Sequence, residues 1–129
     1  MLKDTKLKHT AIIYKDRSKA DIFFNKILGL EKFKSFEVSE KLSEDIFGIK
    51  QKVTVDVYSN EFSYIEVFIS ELKTKSHYEH ICIEVENKDE FISDCKKYNL
   101  KPYFVKKGDR QLLFLRDFND NLFEVKYRN

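Results

Sequence analysis

Four residues carry most of the chemistry this sequence offers: His9, Glu66, His80 and Glu124. His9 stands near the start of "KHTAIIYKD" (8–16), and His80 stands at the same place in "EHICIEVEN" (79–87). Glu66 is central to "YIEVF" (64–68), and Glu124 to "LFEVK" (122–126). A carboxylate set between apolar residues in a strand costs free energy unless it is paired or bound to a cation. Imidazole suits zinc, nickel, cobalt and iron, and carboxylates add hard oxygen donors. Two of each would make a ligand set for a divalent ion. With two positions left open, that set suits an octahedral nickel, cobalt or manganese ion, and zinc fits as well. A lone histidine in a strand is ordinarily structural. Here the same two residue types recur at the same two places, and that recurrence raises the metal reading above the structural one. His77 precedes His80 by three residues and reads as a loop residue.

The elements that must position these residues repeat along the chain. "HTAIIY" (9–14) is β-branched and apolar, as a strand requires. Ala20, Phe23, Phe24, Ile27 and Leu28 then recur at helical spacing across 16–30, with Asp16 or Ser18 as the cap and Gly29 as the stop. "EKFKSFEV", "VTVDVYS" (53–59) and "FSYIEVFIS" (62–70) read as three strands. In the second half, "HICIEV" (80–85) is a strand. Phe91, Ile92, Cys95 and Tyr98 mark a helix over 87–100, with Asn87 as its cap. "KPYFVK", "QLLFLRD" (111–117) and "NLFEVKY" (121–127) close the chain as strands.

Each half therefore reads strand–helix–strand–strand–strand. The opening histidines are 80 − 9 = 71 residues apart and the closing glutamates 124 − 66 = 58, so the first half holds 71 − 58 = 13 extra residues. These fall in "VSEKLSEDIFGIK" (38–50), an amphipathic stretch open to a short helix over one face. A surface excursion is the default for such a segment. The predicted fold class is α+β: one domain of two tandem βαβββ modules, 1–72 and 78–129, forming a cupped mixed sheet with helices on its outer face. Strand alternation puts Ile81, Ile83 and Val85 on the helix side and His80, Cys82 and Glu84 on the other. Ile65, Val67 and Ile69 likewise oppose Tyr64, Glu66 and Phe68, so all four candidate ligands fall on the concave face.

Composition narrows the function. A chain of 129 residues with 42% hydrophobic content can bury a core, which argues against disorder. The charged residues are interleaved and sum to only +2, a solvated surface rather than a nucleic-acid stripe. "KKGDR" and "KYRN" are too short to change that. No apolar run approaches a membrane span, and "MLKDTKLKH" lacks the apolar stretch of a signal peptide, so the expected location is the cytoplasm. Cys82 and Cys95 are expected as buried free thiols. No serine nucleophile motif, phosphate loop or CxxC pair competes for the chemistry.

Three stretches together resemble the vicinal oxygen chelate superfamily in its glyoxalase-like branch, the group of lactoylglutathione lyases, bleomycin resistance proteins and dioxygenases. "KHTAIIYKDRSKADIFFNKILGLE" resembles the opening strand and helix, including the aromatic pair before "LGL". "EHICIEVENKDEFI" resembles the opening of the second module. "LLFLRDFNDNLFEV" resembles the closing F-x-D-P-D-G-N-x-x-E hairpin, with Phe118 at the usual proline and Asp120 at the glycine-like turn position. The resemblance implies a cupped sheet around a divalent metal, a small-molecule substrate and a homodimer, with the metal held within one chain or shared between two. Its four ligand positions fall on His9, Glu66, His80 and Glu124. A complete His–Glu–His–Glu set looks like glyoxalase I. The epimerase branch usually carries Gln at the place of Glu66, and extradiol dioxygenases and fosfomycin thiol transferases use two histidines and one glutamate. Glyoxalase I enzymes also carry an arginine four residues after the first histidine, for a glutathione carboxylate. Here Ile13 stands there, with Glu84 in the second half.

The expected activity is that of a metal-dependent isomerase or lyase moving a proton next to a carbonyl. Glu124 or Glu66 acts as the base, and the ion stabilises the enediolate. Arg110, Lys106 and Lys107 are candidates for holding an anionic substrate. Two alternatives stand beside this reading. One is thiol transfer or ring-cleaving oxygenation at a site of two histidines and one glutamate. The other is a non-catalytic module that sequesters an aromatic or antibiotic ligand on the concave face.

Overall fold

The computed structural model describes residues 9–71 and 80–128; His77 lies outside them. Strand β1 spans Thr10–Tyr14. The helix after it, α1, begins as an α-helix over Arg17–Ala20 and continues as a π-helix over Asp21–Ile27. The Asp16 carboxylate caps its start by accepting from the Ser18 and Lys19 amides. Its last turns are wide: the Leu28 amide donates to the Phe23 carbonyl, five residues back. Gly29 then turns the chain at φ +71°. The first half continues with β2 (Glu31–Val38), α2 (Glu40–Phe47), β3 (Val53–Ser59) and β4 (Tyr64–Ile69). The second half comprises β5 (Ile81–Val85), α3 (Lys88–Lys97), β6 (Tyr103–Lys107), β7 (Arg110–Arg116) and β8 (Leu122–Tyr127). Asn87 caps α3 through the Glu90 amide, as its position in the sequence predicts.

Among the described residues, eight strands form two four-stranded mixed sheets, ordered β1-β4-β3-β2 and β5-β8-β7-β6. In each, the opening strand runs parallel to the closing one at the sheet edge, and the other pairings are antiparallel. Each sheet is thus built from one contiguous half of the chain. One aromatic-rich core joins the halves. Phe23 and Phe24 of α1 are fully buried and meet Phe123 of β8 at centroid distances of 5.2 and 6.4 Å. Tyr58, Ile65, Val67, Leu113, Leu115 and Val125 complete the helix-facing side.

Two polar contacts fix the helix side. Arg17 grips the fully buried Asp56 with Nε and Nη2 at 2.7 Å each, and the Ser35 hydroxyl donates to the same carboxylate. Across the halves, the Tyr14 hydroxyl donates to Asp117, which also accepts from the Asn119 and Asn121 amides. Asn119 Nδ2 donates back to the Ile13 carbonyl at 2.6 Å. The turn before β8 is therefore tied to the end of β1.

The 38–50 insertion is more than a surface excursion. Ser39 caps α2 through the Leu42 amide, and Gly48 ends it at φ +72°. Within it Ser43 is buried on the inner face, while Leu42 and Ile46 are exposed. Amphipathic patterning and two good caps suffice to make the helix.

Candidate functional site

Register places the two histidine–glutamate pairs. In the first sheet Ala11 lies opposite Glu66, and His9 lies two residues before Ala11. In the second sheet Cys82 lies opposite Glu124, and His80 lies two residues before Cys82. Side chains two apart share a face, so each histidine reaches its own module's glutamate. His9 Nε2 stands 3.6 Å from Glu66 Oε1, and His80 Nε2 stands 3.7 Å from Glu124 Oε1. The glutamate side chains are 19% and 20% exposed, equally sheltered in the two sheets.

Both separations exceed a hydrogen bond, which runs about 2.7–3.2 Å for N–H to O. They suit two donors of one ion, because two bonds of about 2.1 Å hold their donor atoms within about 4.2 Å of each other. The residues present therefore fit a divalent ion, two ligands per pair. The chain does not bring the pairs into one cluster. Among the described residues, no group of three or more His, Cys, Asp and Glu side chains is arranged to hold a metal.

The two pairs differ in their surroundings. His9 faces the Tyr64 ring at 6.3 Å between centroids, and Phe33 packs edge-on to Tyr64 at 6.4 Å. His9, Phe33, Phe62, Tyr64, Ile81 and Cys82 line a pocket of about 500 Å³, so the first module's histidine and the second module's thiol share one hollow. Glu124 has the Lys126 ammonium 3.5 Å from its other oxygen. Cys82 is exposed, contrary to the expectation of a buried thiol, because β5 is an edge strand and this residue points away from the core. Partial burial, with the Glu124 carboxylate adding to it, pushes this thiol up and disfavours the thiolate. Cys95 is the buried free thiol that the sequence predicts.

The remaining candidates lie farther out. Arg110 and Lys107 pair across the tip of the β6–β7 hairpin, with Lys106 beside them opposite Gln111, and all three are exposed. Phe114 lies opposite Glu124, and Arg110 is four residues along β7 from Phe114 on the same face. Ile13 lies opposite Phe68 on the Glu66 face, and Glu84 lies opposite Lys126 with Arg128 Nε 3.6 Å away. Sequence reasoning missed Phe33. It falls at a register shift between Lys32 and Lys34, and a bulge breaks the alternation that would have assigned its face.

Solved structures share this fold. A glyoxalase family protein from Bacillus cereus superposes with a TM-score of 0.74 at 18% identity, over 98% of each chain. The fold is thus the glyoxalase-like one of that neighbour. The fosfomycin resistance protein FosX from Listeria monocytogenes shares it at a TM-score of 0.73 and 19% identity, over 97% of this chain and 93% of that one. The structure compared is a Glu-to-Gln point mutant of that protein, crystallised with Mn(II) and 1S,2S-dihydroxypropylphosphonic acid. FosX from Mesorhizobium loti gives 0.67 at 12% identity, over 94% and 90%. No family sequence model matches the chain, and no curated protein sequence is significantly similar to it. At these identities the likeness establishes the fold, and the chemistry must be argued from the side chains. No helix among the described residues is long and apolar enough to cross a membrane.

Proposed function

We propose that this chain is a divalent-metal-dependent isomerase or lyase of the glyoxalase I type, with His9, Glu66, His80 and Glu124 as its ligand set. The observation that carries this reading is the equivalence of the two pairs: the same residue types, at the same register, at separations of 3.6 and 3.7 Å. A structural role would not require the second module to repeat the first so closely. The Mn(II) complex of FosX supports a divalent ion in this fold.

The pairs lie at the sheet edges, since β1 and β5 are the edge strands among the described residues. Edge strands offer unpaired backbone groups to a second chain. A homodimer that sets the first pair of one copy against the second pair of the other completes the four-ligand set. Nickel, zinc, cobalt and manganese all suit this mixture of imidazole and carboxylate.

A divalent ion held there supplies Lewis-acid polarisation of a substrate carbonyl oxygen. The chain's own residues do the rest. His9 and His80 hold the ion. Glu66 or Glu124 takes the proton from the carbon next to the carbonyl and returns it to the neighbouring carbon, so one C–H bond breaks and another forms. Phe33, Phe62 and Tyr64 line the hollow on the His9 side and offer apolar contact to a substrate. Arg110 and Lys107, on the Glu124 face, are placed to meet an anionic end of a long substrate. The test is isomerisation of a hemithioacetal by Glu66→Gln and Glu124→Gln. Full activity in both variants would overturn the proposal.

A second reading has support in the FosX neighbours and in Lys126 beside Glu124. It is an enzyme of the same fold acting on an anionic antibiotic with two histidines and one glutamate. In that case Glu66→Gln leaves activity nearly unchanged while His9→Ala abolishes it.

A further inference from the structure

We infer that the substrate carries an uncharged apolar group, aromatic or branched, which seats in a pocket formed between the first sheet and the insertion helix α2. This inference rests on the reading of His9 and Glu66 as part of the site. The pocket has a volume of about 220 Å³, and Ala11, Ile13, Val53 and Phe68 of the sheet meet Ser43 and Ile49 of the insertion around it. No described residue lining it carries a charge.

Its place relative to the pair is set by register. Ala11 lies opposite Glu66, and Ile13 lies opposite Phe68, so one side of the pocket begins at the residue facing the candidate base. Phe68 is two residues beyond Glu66 on the same face, about 6.6 Å along the strand. A molecule whose oxygens lie at the histidine–glutamate pair would project its next substituent into this hollow. A hollow of about 150 Å³ lined by aliphatic and aromatic chains takes benzene, so one of 220 Å³ holds a six-membered ring with a short substituent. A carboxylate or phosphate there would lose its hydration with no cation to replace it, because the lining offers only uncharged groups.

The second module does not repeat the features that build this pocket. It lacks the insertion, Glu84 replaces Ile13 at the matching strand position, and Lys126 lies opposite Glu84. The apolar demand therefore falls on one side of the site. That asymmetry orients a substrate: polar toward Glu124, apolar toward Ile13.

Two probes test this on the full chain. Toluene is titrated by methyl-resolved NMR, and benzohydroxamate is compared with acetohydroxamate on the nickel-loaded protein. The expected results are saturable toluene shifts at Ile13, Ile49 and Val53, and benzohydroxamate binding about tenfold or more tighter than acetohydroxamate. Ile13→Arg should erase both effects. Ile49→Lys, at a part-exposed position that tolerates charge, should weaken both and guards against misfolding of the first variant. Equal hydroxamate affinities, or no saturable toluene shift, in a protein that still binds nickel would overturn the inference and leave the metal reading intact. If the protein binds no nickel, the metal reading fails, and the toluene shifts alone then decide whether the pocket takes apolar groups.

Discussion

Glu66 of β4 and Glu124 of β8 occupy equivalent positions in two separate sheets, each opposite the residue that follows its own module's histidine by two. The equivalence is a matter of register, not only of residue type. If these carboxylates share the proton transfer, Glu66→Gln and Glu124→Gln should each lower hemithioacetal isomerase turnover by about 10²–10⁴-fold. The measurement is initial rate on metal-loaded protein, with circular dichroism to confirm that the isosteric variants fold.

The half-exposed Arg17 and the buried Asp56 form an ion pair that should contribute to the stability of the first module. Asp56→Ala removes the acceptor of Arg17 and Ser35, but Arg17 is half-exposed and Lys32 keeps Asp21, so the cost in urea unfolding should be about 1–2 kcal/mol. Burial pushes the Asp56 carboxyl up, but Arg17, Ser35 and Lys32 outweigh it and hold the group below the ordinary carboxylate range. A carboxyl depressed in the folded state adds stability above its unfolded pKa, near about 3.9. That contribution is lost as pH falls through the folded value. Wild-type stability should therefore drop below about pH 4, and the difference between wild type and Asp56→Ala should shrink in the same window.

Tyr14 and Asp117 join the two halves. Burial pushes both groups upward, so the tyrosine stays protonated and serves as donor. Tyr14→Phe removes the donor and leaves a buried carboxyl short of a partner, at a cost of about 1–3 kcal/mol. Because the contact spans the halves, urea unfolding should remain one transition with a lower midpoint rather than split into two.

Two turn positions should respond in opposite directions. Gly48 ends α2 at φ +72°, and a Cβ added there meets nothing within 4 Å, so Gly48→Ala isolates the backbone penalty. It should destabilise by about 1 kcal/mol. Asp120 holds φ +65° without being glycine. Asp120→Gly should stabilise by a few tenths to about 1 kcal/mol. Thermal melts of the pair check both signs.

The repeat made the fold legible. Strand alternation and helix spacing placed all eight strands, and the glycine-like turn position at Asp120 does adopt the left-handed conformation. Alternation also put Glu66 and Glu124 on one type of face, and the 3.6 and 3.7 Å contacts follow from that face and the register. Other features were not legible. Phe33 sits at a bulge, where a period of two carries no information. The burial of Ser43 on the inner face of α2 depends on how the insertion packs, and local patterning does not report that. Cys82 looked apolar in its strand, but only the sheet order reveals that β5 is an edge. Whether two pairs become one site is a question of how chains assemble, and residue spacing within one chain does not contain it.

The central claim is that the two histidine–glutamate pairs form one metal site. Isothermal titration of the metal-free protein with nickel or manganese tests it most directly, on wild type and on His9→Ala, Glu66→Gln, His80→Ala and Glu124→Gln. The account predicts one ion per chain in a dimer, with affinity lowered by at least tenfold in every variant. Wild-type affinity retained in all four variants would contradict it.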